Sequence, residues 1–268
     1  MDVNYSFAGG AITTAIGGDG IGRMIINRPE KLNALTDAMW RAIPGALDWL
    51  ASMNHARVVI IEGAGGKDFS AGADIGEFET LRKDGSTARI YEKGNSDAFA
   101  AIRTCPVPVI AAVRGICFGG GFGIAAAADI RLADETARFA IPAARLGLAY
   151  PIDAVQDLVR ALGDQKARWA LFSAREMSAS QALASGCLLT LSGPGQLEME
   201  VFQLASDIAE AAPLSVRASK AAISAQASRL QQDFEQAEAL GARTFESLDY
   251  AEGRCAFMEK RRAAFSGK

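Results

Sequence analysis

The fold is decided by Pro106-Val107-Pro108-Val109-Ile110-Ala111-Ala112-Val113 and the glycine turn that follows it, Gly119-Gly120-Gly121-Phe122-Gly123. The first segment is apolar throughout, the pattern of a strand buried on both faces. The turn leads into Phe122–Ala128, an alanine-rich helix start. Ile130–Ala133 then reads as another strand, closed by Asp134-Glu135-Thr136.

The same grammar recurs upstream. Arg57–Ile61 is a buried strand after its first residue, and Phe69-Ser70-Ala71-Gly72-Ala73-Asp74 is a second glycine turn. Gly76–Ala101 is polar and mixed, helical with a mobile stretch near Lys83-Asp84-Gly85-Ser86. Earlier still, Ile21–Asn27 reads as a strand. Arg28-Pro29-Glu30-Lys31-Leu32-Asn33 is a turn, because proline stops the ladder. Thr36 is placed to cap a helix carrying Met39, Ile43, Leu47 and Leu50 at helical spacing, and Pro44 inside it predicts a kink or break.

Downstream, Phe139–Pro142 is extended. Leu158–Leu171 and Ser178–Ser185 read as helices, with Gly186 as a C-cap. From Leu197 to Phe265 the pattern is nearly all helix, interrupted at Pro213 and Gly253. Strands alternating with helices, then helices alone, define an α/β core over residues 1–195 and a helical C-terminal region over 196–268.

The chain has 268 residues, half of them hydrophobic and 22% charged, with a net charge of −3. This is a globular balance with no global basic signal, so nucleic acid is not an expected partner. The four cysteines, Cys105, Cys117, Cys187 and Cys255, form no CxxC pair, and His55 is the one histidine. No metal site is expected, and all four thiols read as buried small hydrophobes in a reducing, cytoplasmic setting. His55 lies away from both turns and receives no role. No signal peptide is evident, and the most apolar window, near Ile110–Ile130, is too interrupted to span a membrane.

The two glycine turns are candidates for chemistry, although on spacing alone glycines like these are more often plain turn or packing residues. A helix N-terminus presents backbone N–H groups without partners, and glycine lets a ligand approach them closely. Two such turns can aim two donors at one oxygen. The spacing is neither a Walker motif nor a dinucleotide fingerprint.

Asn27–Leu35, Phe69–Asp74, Gly115–Gly123 and Ala125–Asp129 resemble the enoyl-CoA hydratase/isomerase (crotonase) superfamily, as do Glu252-Gly253 and Ala256–Arg261. The resemblance runs in order over most of the chain. It implies a spiral of ββα repeats, a trimer or hexamer with a helical C-terminal region, and an acyl-CoA thioester substrate. No separate cofactor is implied, since coenzyme A is part of the substrate. By position, the Ala73 and Gly120 N–H groups would form an oxyanion hole for the thioester. Lys31 and Leu32 would lie near the nucleotide and pantetheine, and Ala71, Ala73, Asp74 and Ile75 near the pantetheine and thioester. Phe257 and Lys260 would reach CoA from the C-terminal helix, often across a subunit boundary.

The chain also departs from that family. Hydratases carry one glutamate after the glycine turn and a second after a later proline, and these positions hold Gly123 and Ala143. Neither residue moves a proton. Tyr150, in Leu146-Gly147-Leu148-Ala149-Tyr150, resembles the tyrosine of the methylmalonyl-CoA decarboxylase branch and could orient a carboxylate or protonate an enolate. Asp153 is a second candidate for catalysis, weighed against a helix N-cap. Asp157 reads as a first-turn helix acid. Glu77 and Glu79 are within possible reach of an acyl pocket, and Arg145 is a candidate for an anionic acyl group.

Three functions stand on this reading. The first is a hydratase- or isomerase-type enzyme stabilising a thioester enolate without the usual glutamates. The second is a malonyl-type acyl-CoA decarboxylase using Tyr150. The third is a non-catalytic acyl-CoA-binding subunit. An acid from a neighbouring subunit, or from Gly76–Ala101, would restore what the local motifs lack.

Overall fold

The computed structural model describes residues 3–268. In chain order its strands are β1 (Val3–Phe7), β2 (Ile12–Ile16), β3 (Ile21–Ile26), β4 (Val58–Gly63), β5 (Val109–Val113), β6 (Ile116–Phe118), β7 (Ile130–Asp134), β8 (Arg138–Ala140), β9 (Met177–Ser178) and β10 (Thr190–Ser192). Its helices are α1 (Asp37–Asp48), α2 (Phe78–Leu81), α3 (Gly85–Arg103), α4 (Gly120–Ala127), α5 (Ile152–Leu162), α6 (Asp164–Ser173), α7 (Ala179–Ala184), α8 (Leu197–Glu210), α9 (Pro213–Ser228), α10 (Gln231–Thr244) and α11 (Leu248–Glu259).

Seven strands form one sheet in the order β1-β2-β3-β4-β5-β7-β10, and β6-β8-β9 form a second. From β3 onward every neighbour in the large sheet is parallel. Short pieces continue the second sheet: Leu35 bridges Ala73, Ser70 bridges Cys117, and Phe118 pairs with Ala140, all parallel. Each turn of chain therefore adds a strand to one sheet, an extended piece to the other, then a helix. β5, β6 and α4 form one such turn, which makes the core a spiral of ββα repeats.

The strand of the deciding stretch starts at Val109 rather than Pro106, since the prolines at 106 and 108 have no N–H for a ladder; all five residues of β5 are buried, whereas Pro106 is exposed. Two apolar layers flank the large sheet. One lies under α1, α3, α4 and α5; the other holds Val58, Ile60, Ile110 and Leu132 against Leu197, Val201 and Ala205 of α8. The helical region 196–268 thus begins with a helix that completes the core. Lys220 of α9 is tied to Asp129 at 2.7 Å and to the Val107 carbonyl at 2.9 Å.

Several local expectations change. Pro44 does not break α1, which continues to Asp48 and then loosens into a π-turn over Trp49–Met53. Burial of Met39, Trp40, Ile43 and Leu47 offsets the lost hydrogen bond. The helix read over Leu158–Leu171 is two helices divided at Gly163, which takes a φ of 72°. Gly253 interrupts nothing: it lies inside α11, where a Cβ would meet the Phe265 ring at 3.5 Å. The breaks fall after Ser228 and Thr244, and Ser247 caps α11 by accepting from the Tyr250 N–H. Cys255 is exposed on α11, whereas Cys105, Cys117 and Cys187 are buried. No helix among the described residues is long and apolar enough to cross a membrane.

Candidate active site

Asn33 builds the first turn. It is fully buried in a left-handed conformation, which asparagine tolerates better than most residues. Its side chain donates to the Ala64 and Asp68 carbonyls at 3.0 and 2.7 Å and accepts from the Arg28 N–H at 3.0 Å. Its own carbonyl accepts from Ser70 Oγ at 2.8 Å, and the Ala71 N–H donates to the Leu32 carbonyl at 2.9 Å. Lys31 and Leu32 are thereby held on the surface beside Ala71.

The two glycine turns touch. A Cβ on Gly72, whose φ is 89°, would lie 2.7 Å from the Phe118 carbonyl oxygen and 2.9 Å from the Gly120 nitrogen. Only glycine permits both that conformation and that approach. Gly120 is the first residue of α4, so its N–H has no partner within the helix. The Ala73 N–H likewise donates to no backbone group among the described residues. Both residues line one cavity of about 120 Å³. Beneath Gly120 lies the Trp40 indole, whose Nε1 donates to the Tyr91 hydroxyl at 3.2 Å.

Ala71 and Ile75 also line this cavity, and Ile75 stays largely exposed at its edge. Asp74 faces away, toward Arg28 at 2.9 Å, and accepts from the Gly76 N–H at 3.0 Å. Burial alone would raise its pKa, but the Arg28 and Gly76 hydrogen bonds outweigh it and hold the carboxyl below its ordinary value.

Tyr150 lines the cavity, and its hydroxyl donates to the Gly119 carbonyl at 2.9 Å. Burial pushes the phenol above its usual range, so the group stays protonated. Ala143 also lines the cavity. Asp153 is not on the cavity wall; it accepts from Ser96 Oγ at 3.1 Å and lies 3.5 Å from Arg103. It does not cap α5, whose N-cap is Pro151. Asp157 sits in the middle of α5 rather than its first turn, fully buried against Arg103. Glu77 accepts from the Asp37 N–H at 2.7 Å, at the start of α1. Arg145 is exposed and off the cavity wall. Phe257 and Lys260 lie on or next to α11, away from this cavity within one chain.

Sequence reading missed a polar cluster. Arg82, Glu92 and Asn95 line the cavity opposite the glycine turns. The Arg82 guanidinium is ion-paired with Glu92 and lies 4.5 and 4.6 Å from the ring centroids of Phe78 and Tyr91. Asn95 Nδ2 reaches Glu92 Oε2 at 3.4 Å. Burial lowers the Arg82 pKa and pushes that of Tyr91 up to about 12. The signal was spacing: Glu92, Asn95 and Phe99 recur at helical intervals beside buried Tyr91, Ala98 and Ile102. Asp84, in the stretch expected to be mobile, caps α3 with a capping box and so orients this face.

Comparison with known proteins agrees with this arrangement. The enoyl-CoA hydratase/isomerase family profile matches residues 17–268. The chain is 33% identical over 249 residues to a crotonyl-CoA hydratase of Syntrophomonas wolfei, covering 91% of this chain and 94% of that one. It is 35% identical over 210 residues to the mitochondrial Delta(3,5)-Delta(2,4)-dienoyl-CoA isomerase of Mus musculus, covering 73% of this chain and 63% of that one. Among solved structures, an enoyl-CoA hydratase/carnithine racemase from Magnetospirillum magneticum superposes with a TM-score of 0.90 at 32% identity, covering 96% of both chains. The fold is a crotonase-type α/β spiral with a helical C-terminal region. The chain belongs to the enoyl-CoA hydratase/isomerase family and is an enzyme of that family.

Proposed function

We propose that this enzyme acts on an acyl-CoA thioester by stabilising its enolate, with the Ala73 and Gly120 N–H groups as the oxyanion hole. One observation carries the reading: two unpartnered backbone donors from adjoining turns line the same cavity. Such donors act where negative charge develops, and losing one typically costs about 10²–10³ in rate. Coenzyme A enters as part of the substrate, with Lys31, Leu32, Ala71 and Ile75 along its path and Asp74 bracing the turn.

Exposed Phe245, Leu248, Phe257 and Met258 support a homotrimer or hexamer in which Phe257 and Lys260 of another copy approach the CoA. The unpaired thiols fit a cytoplasmic location as part of the same proposal. Decarboxylation of a malonyl-type ester is the second reading. It rests on Tyr150, a proton-bearing hydroxyl on the cavity wall.

The test is a mass-spectrometric screen in heavy water with enoyl-, saturated acyl- and malonyl-type CoA esters. Deuterium uptake beside the thioester supports enolate formation. Loss of carbon dioxide that disappears in Tyr150→Phe selects the second reading. Binding without change in any ester refutes both and leaves an acyl-CoA-binding subunit.

A further inference from the structure

Glu92 is the one carboxylate among the residues lining the cavity that also holds Ala73, Gly120 and Tyr150. Its side chain keeps 32% of its exposure, whereas that of Arg82 keeps 9%. The carboxylate is thus the open member of the pair, and the cation lies behind it. Arg82 Nε and Asn95 Oδ1 are buried without a partner. A buried cation and amide left part-satisfied are costly unless the site has a use for them. Their contacts hold one carboxylate on the wall of the cavity that Ala73 and Gly120 also line.

We propose that Glu92 is the proton-carrying catalytic residue of this enzyme, with Arg82 and Asn95 as its positioning residues. The inference rests on the enolate reading above. In the step, a Glu92 oxygen takes a proton from the carbon beside the thioester. The C–H electron pair moves into the carbon–carbon bond, and the carbonyl pair moves onto the oxygen facing Ala73 and Gly120. For a 3-enoyl ester the charge spreads to the fourth carbon. The protonated Glu92 returns its proton there, leaving the double bond conjugated with the thioester. Atoms and electrons balance, and no second acid or water is needed. One carboxylate from α3 would do what neither Gly123 nor Ala143 can.

The charged and titratable groups near Glu92 are Arg82 at the end of α2, Arg89, Tyr91 and Lys93 on its own helix, with Lys93 paired to Asp97 at 2.6 Å, and Tyr150 on the same cavity wall. Asp37 and Glu77 lie near Tyr91, and Asp153, paired with Arg103, accepts from Ser96 Oγ on α3. Arg82 is the only cation ion-paired with Glu92 among the described residues, and an opposite charge in contact favours the ionised carboxylate.

The experiment uses the full chain. Butyryl-CoA measures binding, and 3-butenoyl-CoA in heavy water measures exchange and double-bond migration by NMR. The expected result is that Glu92→Gln lowers exchange by about 10²–10⁴ with butyryl-CoA affinity within threefold of the parent. Glu92→Asp should recover at least tenfold over Glu92→Gln. Arg82→Met should move the acid limb of the exchange profile to higher pH, which a merely structural cation would not do. Exchange in Glu92→Gln within threefold of the parent, or an unmoved limb in Arg82→Met, overturns the assignment while leaving the enolate reading intact. If Glu92→Gln fails to fold, the Glu92→Asp rate and the Arg82→Met limb decide alone. A parent protein that does not exchange these esters, whether or not it binds them, refutes the enolate reading itself, and the assignment falls with it.

Discussion

Gly123 and Tyr150 compete for one volume. A Cβ placed on Gly123 would lie 2.5 Å from the Tyr150 hydroxyl oxygen and 2.6 Å from the Phe99 ring. The space that a side chain at position 123 needs is therefore filled by Tyr150 and Phe99, and Tyr150 is held there by its bond to the Gly119 carbonyl.

Gly123→Glu should therefore damage the protein. Overpacking a tight core costs about 1–3 kcal/mol, and the buried carboxylate adds to it. Urea unfolding is expected to show the loss already in Gly123→Ala. Tyr150→Phe should recover only part of it, because the Phe99 contact persists. A Gly123→Ala midpoint equal to the parent's would refute the competition.

Ala143 offers the opposite case. It lines the cavity, is half-buried, and its carbonyl accepts from the Leu148 N–H at 3.0 Å. Ala143→Glu is expected to fold and to place a second carboxylate against the acyl chain. In the Glu92→Gln background it should raise deuterium exchange at least tenfold. No gain in a folded double variant would show that the acyl chain does not pass this side of the cavity.

The first turn depends on Asn33 and Asp74. Asn33→Ala strands the Ala64 and Asp68 carbonyls and the Arg28 N–H, at about 1–3 kcal/mol for each group left buried and unpaired. Asp74→Asn should cost about 1.5 kcal/mol near neutral pH, the low end for hydrogen bonds to charged groups, since both ion-pair side chains are about one-fifth exposed. The Asp74 carboxyl is held below its ordinary value of 3.8. Its contribution is therefore full above that value and lost as pH falls through the lower, folded one. The parent should lose more stability than Asp74→Asn on acidification below about pH 4, read by thermal unfolding. Parallel curves would show that Arg28 gains nothing from the charge.

Much of this was legible in the sequence. Buried strands such as Val109–Val113 advertise themselves through unbroken apolar runs, and Thr36 is a cap by position and chemistry alike. The glycine turns were visible because close backbone approach has a composition. Gly253 misled, and Pro44 causes no break, because propensity is local, whereas a helix buried along one face tolerates a poor residue. The Arg82–Glu92–Asn95 cluster stayed hidden for a related reason. On a helix that also carries Arg89, Lys93 and Asp97, a glutamate facing inward looks like one facing water. Only the packing of α3 against α1, α4 and α5 separates them.

The sharpest pH test lies in the clamp between α3 and α5. Asp157 is fully buried, and Arg103 grips it with Nε at 2.9 Å and Nη2 at 3.0 Å. Burial is the largest influence on this carboxyl and outweighs Arg103 and Arg160, so its pKa stands above the ordinary 3.8. A raised value means that the folded chain holds the proton more readily than the unfolded one. The stability this group contributes is thus complete below 3.8 and lost as pH rises through the folded value. Removing Arg103 leaves a buried charge with less compensation, which typically costs about 3–5 kcal/mol. It also pushes the folded value higher and widens the window of loss. Arg103→Met should therefore be close to the parent near pH 4 and fall progressively behind by pH 7. Adding Asp157→Asn should flatten that trend, because the group that titrates is gone. A penalty for Arg103→Met that is the same at both pH values would show that Arg103 acts through packing of its stem rather than by compensating the Asp157 charge.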